Sequence, residues 1–308
     1  MPIKIPEQLP ANSILEGENI FVMTERQAVT QDIRPLKLII LNLMPTKIVT
    51  ETQLARCLSN TPLQIEIELL QMATHESKNT PEQHLFSFYQ TFETIKNRRY
   101  DGMIITGAPV ELLEFEEVDY WGELCEIMDW ASKNVHSTLF LCWGAQAALY
   151  HYYGVRKYPL PSKMFGLFEH RPLERNLPLF RGFDDTFLAP HSRHTEVKAE
   201  EINSKEDLSV IASSDEAGVF IAANLNRRRI FVMGHPEYDA ETLAIEYFRD
   251  ADKGLDIALP AHYFPDDNPE NKPELTWRAH ANLLYTNWLN YYVYQATPYN
   301  LDELIPSK

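Results

Sequence analysis

The chain has 308 residues, 44% of them apolar and 11% aromatic, which is enough to bury a substantial core in one elaborated domain or in two. Its formal net charge of −16 argues against nucleic acid or an anionic membrane as the main partner, because both would repel it at long range. Three scattered cysteines exclude a disulfide framework, and the absence of an apolar signal core or a membrane-spanning run leads us to expect a cytoplasmic location.

After an irregular amino-terminal arm, apolar strand-like runs alternate with helical patterns. This rhythm predicts an α/β fold with a doubly wound, mostly parallel sheet and helices on both faces. Functional groups then collect at the carboxyl ends of the strands. The predicted elements are strand 37–44, helix 46–58, strand 64–72, a helix from Pro81 to about residue 97, strand 100–107, helix 118–134 and strand 137–141.

Cys142 stands where the last of these strands turns into a helix, in the run STLFLCWGAQAAL. Gly144 permits the tight bend. A thiol at a helix start meets free backbone N–H groups and the positive end of the helix dipole, which favour a reactive thiolate. On its own, a free cysteine in an apolar strand is more often a small buried hydrophobe.

A second segment, RRIFVMGHPEYDAETLAIEYF, repeats the order of strand, glycine turn and helix, with His235 and Glu237 at the turn. Residues two apart in an extended stretch face the same side, and Pro236 between them restricts the backbone. An imidazole and an orienting carboxylate then converge on one point. Together with Cys142, they predict a Cys-His-Glu triad.

After Gly154 the pattern becomes irregular, and frequent prolines predict loops with short strands. Residues 258–273 are rich in proline and acids and indicate a connection before an aromatic helix, TWRAHANLLYTNWLNYYVY. Aromatic residues at helical spacing are more often core or interface than a ligand box, so this helix is expected to pack or to form a homodimer. The predicted division is an arm at 1–34, one catalytic domain at 35–256 and a carboxyl-terminal extension at 257–308.

The cysteine elbow resembles the GxCxGxQ signature of class I glutamine amidotransferases, with Gly144 and Gln146 matching and Phe140 in place of the first glycine. The wider pattern is similar to the homoserine O-acyltransferases of the MetA family, and the similarity spans nearly the whole chain. The matching segments are NLMPTKIVTETQ (42–53), ITGAPVE (105–111), PHSRHTEV (190–197) and GHPEYDAETL (234–243).

This resemblance implies acyl transfer from an acyl-CoA through a thioester on Cys142, followed by attack of the homoserine hydroxyl. His235 would be the base and Glu237 its orienting group. The backbone N–H of Trp143 is one expected oxyanion donor, and the loop 108–110 supplies the other, although Pro109 has no N–H. The co-substrate is acetyl-CoA, and no permanently bound cofactor is expected.

The resemblance also implies that Lys163, Ser192 and Arg249 bind the substrate, although single surface charges are more often merely solvated. Lys47 could face the site too, but a lysine in a first helical turn is more often exposed. In this family, glutamate at the position of Glu111 goes with acetyl transfer and a small residue with succinyl transfer. The alternative is that Glu111 belongs to an acidic surface with its neighbours.

Three classes of function remain open, namely an acyltransferase, a glutaminase and a non-catalytic binding protein. A homoserine O-acetyltransferase is preferred, and a homoserine O-succinyltransferase differs from it only in the donor. A glutaminase that supplies ammonia to a synthetase would share the fold and triad, and a non-catalytic binding protein would leave the triad unexplained. The expected partners are small molecules, and the ten histidines show no metal-ligand spacing.

Overall fold

The computed structural model describes residues 3–4, 9–17, 22–23, 34–75, 79–226 and 228–305, so much of the predicted arm at 1–34 lies outside the described residues. The strands are β1 Ile3–Lys4, β2 Val22–Met23, β3 Leu36–Leu41, β4 Ile65–Leu70, β5 Tyr89–Gln90, β6 Tyr100–Ile105, β7 Val135–Leu141, β8 Tyr158–Pro172, β9 Phe187–Glu196, β10 Leu208–Ser214, β11 Gly218–Asn224 and β12 Arg229–Val232. The helices are α1 Pro10–Gly17, α2 Lys47–Leu58, α3 Glu82–Phe88, α4 Phe92–Ile95, α5 Trp121–Asn134, α6 Trp143–Tyr153, α7 Ala199–Asn203, α8 Thr242–Asp252 and α9 Arg278–Asn287.

Within the described ranges, one sheet has the strand order β2-β1-β4-β3-β6-β7-β12-β11-β10-β8-β9, with β5 beside β4. Every pairing from β2 across to β12 is parallel, and the strands from β12 to β9 pair antiparallel. The predicted doubly wound, mostly parallel sheet is therefore confirmed. An antiparallel extension continues it beyond β12.

The two faces of the sheet build two hydrophobic cores because successive strand residues point to opposite sides. In β3, Leu38 and Ile40 join one cluster, whereas Ile39 and Leu41 join the other. Helices α1, α2 and α9 cover the first face, and α5 and α6 cover the second. No helix in the described part of the chain combines the length and apolarity needed to cross a membrane.

The single helix predicted from Pro81 to residue 97 is wrong. The chain instead forms α3, the short strand β5 and α4, and Tyr89 of β5 pairs with Leu69 of β4. The Tyr89 hydroxyl is buried, donates to Glu51 at 2.6 Å and accepts from the Asn42 amide at 2.9 Å. Sheet pairing and this buried polar contact outweigh the local helical pattern.

The short strands predicted after Gly154 are also wrong, because β8 spans 15 residues and β9 spans 10. Their prolines fall where a strand tolerates them. Pro190 lies on β9, the last strand of the sheet order, and Pro161 lies at the register shift between the pairs of Pro159 and Met164. A prediction from proline content alone therefore underestimates the length of the strands in this part of the chain.

The aromatic helix packs into the core of its own chain. Trp277 and Trp288 are 1% and 0% exposed, and the Trp288 indole donates to Ser137 Oγ at 3.0 Å. A Cβ added at Gly102 would lie 2.6 Å from Leu38 Cδ2 and 3.2 Å from the Trp288 ring, so this glycine makes room for both side chains. After α9 the chain continues as a π-helix, Trp288–Tyr294. These tryptophans are core residues, and the homodimer remains a prediction.

A buried histidine pair predicts how stability depends on pH. The Nε2 atoms of His170 in β8 and His191 in β9 lie 2.9 Å apart. Burial lowers the pKa of His170 to about 3, and burial likewise holds the pKa of His191 well below its ordinary value. A histidine with a lowered pKa in the fold contributes stability above its unfolded pKa of about 6.5, which is lost as the pH falls because the unfolded chain takes up the proton.

We therefore expect the free energy of unfolding of His170→Gln to fall less than that of the native chain between pH 7 and pH 5, by about 2 kcal/mol. Urea unfolding at both pH values measures this difference. His75→Gln, at an exposed histidine that pairs with Asp119, is the control for replacing a histidine outside the buried pair. Equal losses in the native chain and in His170→Gln would contradict the prediction.

Candidate active site

The carboxyl ends of β6, β7 and β12 bring Gly107, Cys142 and His235 together. A Cβ added at Gly107 would lie 3.2 Å from the Cys142 Cβ, 3.6 Å from the His235 Cε1 and 3.6 Å from the Trp143 backbone nitrogen. Cys142 and His235 are each 3% exposed. The sulfur, the imidazole and a helix-terminal N–H therefore share one small volume, which the glycine leaves open.

Cys142 itself holds the strained backbone of the elbow, with φ 48° and ψ −118°. A non-glycine residue there costs conformational energy and marks a functional turn. The Cys142 N–H donates to the Val232 carbonyl at 2.7 Å, which anchors the elbow to β12. The role predicted for Gly144 needs correction, because a Cβ at Gly144 would collide with the Thr106 carbonyl oxygen. This glycine serves close packing, and the bend lies at the cysteine.

His235 and Glu237 form the predicted contact, with His235 Nδ1 at 2.8 Å from Glu237 Oε1. The Tyr238 ring stacks on the imidazole at 4.1 Å between centroids. Burial opposes a charge on His235, but the Cys142 sulfur and the Glu237 carboxylate outweigh it and hold the pKa of His235 well above its ordinary value. This arrangement favours the protonated, imidazolium form of His235.

A buried polar network fixes the helix that follows the elbow. Thr195 Oγ1 donates to Gln146 Oε1 at 2.7 Å, and the Gln146 amide donates back to the Thr195 carbonyl at 3.1 Å. Arg193, 2% exposed, donates to the same carbonyl at 2.7 Å and to the Ala217 carbonyl. Sequence analysis named Gln146 individually but covered Arg193 and Thr195 only as part of the matching segment 190–197, since these contacts join β9 to a helix about 50 residues earlier.

A cavity of about 460 Å³ opens in front of the cysteine, and Lys163, Ser192, Glu111 and Arg249 all line it. Its polar centre is a residue that sequence analysis missed, Glu246 of α8. The Glu246 carboxylate accepts hydrogen bonds from Ser192 at 2.6 Å, from Lys163 at 3.2 Å and from the Tyr238 hydroxyl at 3.2 Å. The sequence signal that could have identified Glu246 was helical spacing, because Glu246 and Arg249 lie three residues apart on one helix face.

Two of the cations considered differ from expectation in their surroundings. Arg249 lines the cavity, but its guanidinium pairs with Asp250 at 2.7 Å and its side chain is 52% exposed. Lys47 is 6% exposed instead of solvated, and its ammonium donates to the Asn42 carbonyl. Burial lowers the pKa of Lys47 to about 8. Lys47 lines a second cavity, of about 210 Å³, beside the main one.

Glu111 turns toward the cavity that contains Cys142, and its Oε2 accepts the backbone N–H of His194. Burial raises the pKa of Glu111, although this N–H and the nearby His194, His235 and Lys163 oppose the rise. Its neighbours Glu114, Glu116 and Glu117 are exposed. This geometry separates Glu111 from the acidic surface that was the alternative.

Among the described residues, no group of three or more histidine, cysteine, aspartate or glutamate side chains is arranged to hold a metal ion. All three cysteines are unpaired. The side chains that line the cavity include one thiol, two imidazoles, three carboxylates and two cations. Such a set suits acyl transfer through a covalent intermediate.

The chain has a class I glutamine amidotransferase-like fold. A glutamine amidotransferase from Thermotoga maritima matches with a TM-score of 0.54, covering 84% of this chain and 98% of that chain at 12% identity. A second, from Methylobacillus flagellatus, matches with a TM-score of 0.50, covering 84% and 95% at 12% identity. At these identities the likeness shows the fold alone.

The chain belongs to the homoserine O-succinyltransferase family, whose model matches residues 2–299. A protein of Acetivibrio thermocellus is 60% identical over 304 residues, 99% of this chain and 100% of its own length. One of Brevibacillus brevis is 62% identical over 302 residues, 98% and 99% of the two chains. Both relatives are named homoserine O-acetyltransferase. The resemblance to homoserine O-acyltransferases is thus confirmed.

Proposed function

We propose that the protein is a homoserine O-acetyltransferase, an enzyme that moves an acetyl group from acetyl-CoA to the hydroxyl of L-homoserine for methionine biosynthesis. The observation that carries this proposal is the strained Cys142 elbow beside His235 and Glu237, in a cavity that also contains Glu111. Membership of the family and the names of the relatives at about 60% identity support it. Both substrates are small molecules, and no permanently bound cofactor takes part.

In the first half-reaction, the Cys142 thiolate attacks the carbonyl carbon of the acetyl-CoA thioester. A carbon–sulfur bond to Cys142 forms, and the resulting oxyanion needs N–H donors in place. Trp143, at the first position of α6, offers one donor, and the loop 108–110 is our candidate for the other. The bond to the CoA sulfur then breaks, and CoA leaves as a thiol with a proton from His235.

In the second half-reaction, His235 must act as a base. Acylation turns the Cys142 sulfur into a neutral thioester, so one of the two charges that raise the pKa of His235 is lost. Burial, which lowers the pKa of His235, then has more influence. The imidazole gives up its proton to the leaving CoA and stays neutral. It can accept the homoserine hydroxyl proton as the oxygen attacks the acyl carbon, while Glu237 holds the ring. The bond to Cys142 breaks and O-acetylhomoserine is released.

Homoserine carries an ammonium and a carboxylate, and the cavity offers a partner for each. Glu246 is our candidate acceptor for the ammonium, since it already lies beside Ser192. Lys163 and Arg249 are the candidate cations for the carboxylate. Arg249 would share its guanidinium between Asp250 and the substrate.

Glu246→Gln is expected to raise the KM for homoserine by about 10- to 100-fold with little effect on the acylation of Cys142, because one buried charge pair with the ammonium is lost. Steady-state assays at fixed acetyl-CoA measure the change. Glu241→Gln, at an exposed position on the preceding turn, is the matched control. An unchanged KM for homoserine would remove Glu246 from substrate binding.

Acetyl-CoA is the proposed donor because Glu111 fills volume near the acyl group and would repel the distal carboxylate of succinate. The family name refers to succinyl transfer, so the donor needs a direct test. Purified protein should form O-acetylhomoserine from acetyl-CoA and homoserine, detected by mass spectrometry. Formation of O-succinylhomoserine alone would favour the succinyltransferase, and ammonia release from glutamine would favour a glutaminase.

We place this reaction in the cytoplasm, where acetyl-CoA and homoserine are available. Three unpaired cysteines suit a reducing compartment. A thiolate nucleophile also needs such a compartment to stay reduced.

A further inference from the structure

Large apolar side chains stand exposed around the mouth of the active-site cavity. Val49, Leu112, Leu113 and Ile245 are 50%, 74%, 43% and 65% exposed, and all four line that cavity. A single exposed apolar residue is ordinary on a protein surface. Several around one opening indicate a surface that a ligand covers.

Two helices build one wall of this mouth. Gln53 Nε2 of α2 donates to Thr242 Oγ1 of α8 at 3.0 Å and ties the helices together. Val49 lies one turn before Gln53, and Ile245 lies about one turn after Thr242. Both side chains therefore belong to the joined helix pair at its cavity side.

The loop after Glu111 builds a second wall. Lys157 donates its ammonium protons to the carbonyl oxygens of Glu111 and Leu113, and the Leu113 N–H donates to the Val110 carbonyl at 3.1 Å. These contacts hold Leu112 and Leu113 at the mouth although their side chains remain exposed. We name the surface formed by Val49, Ile245, Leu112 and Leu113 the rim groove.

The donor of the proposed reaction has a part that fits this surface. Its thioester carbon must reach Cys142 at the bottom of the cavity, so the pantetheine arm must pass through the mouth to join the nucleotide outside. That arm combines a geminal dimethyl group with two amides. The rim groove offers apolar contact, and the exposed Thr46, which also lines the cavity, offers a hydroxyl to an amide.

The net charge of the protein also favours donor binding through apolar contacts at the mouth. With a formal net charge of −16, the protein gives CoA phosphates no general electrostatic attraction. Affinity for the donor must then come largely from local contacts, and apolar burial is the local contact that the mouth offers most. We propose that the rim groove binds the pantetheine arm of the acyl-CoA donor, an inference that rests on the proposed acyl transfer.

The test compares three acetyl donors on the native chain and on Val49→Asp and Ile245→Asp. The donors are acetyl-CoA, S-acetylpantetheine and the short thioester S-acetyl-N-acetylcysteamine, which lacks most of the arm. A charge in the rim groove should lower the ratio of kcat/KM for acetyl-CoA to that for the short thioester by about tenfold. S-acetylpantetheine should behave like acetyl-CoA.

Leu112→Asp repeats the test on the second wall, and Leu225→Asp is the control because Leu225 is 62% exposed but does not line the cavity. The control should keep the native donor ratio. Equal losses with all three donors, or an unchanged ratio in the three rim variants, would overturn the rim groove. A native chain that transfers acetyl from no donor would instead overturn the proposed function, and the groove with it.

Discussion

Replacing Cys142 with alanine is expected to lower kcat for acetyl transfer by at least about 10⁴-fold, because the covalent route loses its nucleophile. The residue is buried and the substitution removes one atom, so the fold should persist. Intact-protein mass spectrometry with acetyl-CoA and without homoserine tests the intermediate directly. The native chain should gain one acetyl group that added homoserine discharges, and Cys142→Ala should gain none.

The other two cysteines, Cys57 and Cys125, serve as internal controls for this experiment. Burial raises the pKa of the Cys57 thiol to about 12 and that of the Cys125 thiol to about 11, so both stay protonated and unreactive near neutral pH. Cys125→Ala should therefore keep the acetyl adduct and the activity. An adduct that survives in Cys142→Ala would place the nucleophile elsewhere. A folded native chain that gains no adduct from acetyl-CoA or succinyl-CoA would redirect attention to glutamine hydrolysis.

The parallel half of the sheet and the meeting of Cys142, His235 and Glu237 at one place could be predicted because their signals are local. An apolar run, a turn and a helical pattern lie next to each other in sequence, both around Cys142 and around His235. Parallel pairing then aligns the carboxyl ends of the strands, so residues that follow them meet. The structure accordingly brings Cys142 within reach of His235.

The parts that could not be predicted depend on partners far away in sequence. Tyr89 leaves a helical pattern because it pairs with β4 and donates to Glu51, 38 residues earlier. Glu246 is placed in the site by the hydrogen bond that it accepts from Ser192, 54 residues before it. Proline-rich β8 becomes a regular strand only beside β9. Local propensity carries no information about such contacts.

The surroundings of Glu111 also depend on a residue far away in sequence. By sequence it stood among exposed acids, and a solvated role was a real alternative. In the structure its carboxylate accepts the His194 N–H and lines the cavity with Cys142 and His235. Any acyl group on Cys142 must therefore share that cavity with a glutamate. We propose that a succinyl chain, which brings a second carboxylate, meets both a steric and an electrostatic obstacle there.

Glu111→Gly is therefore expected to shift donor preference toward succinyl-CoA, changing the ratio of kcat/KM for succinyl-CoA to that for acetyl-CoA by about 100-fold or more. Glu111→Gln separates the two causes, since it removes the charge but keeps the volume. A large shift in Glu111→Gln would assign most of the selectivity to repulsion, and a shift confined to Glu111→Gly would assign it to space. Glu114→Gly, on the exposed side of the same loop, should leave the ratio unchanged. If Glu111→Gly also kept the native ratio, the donor would be selected elsewhere in the cavity.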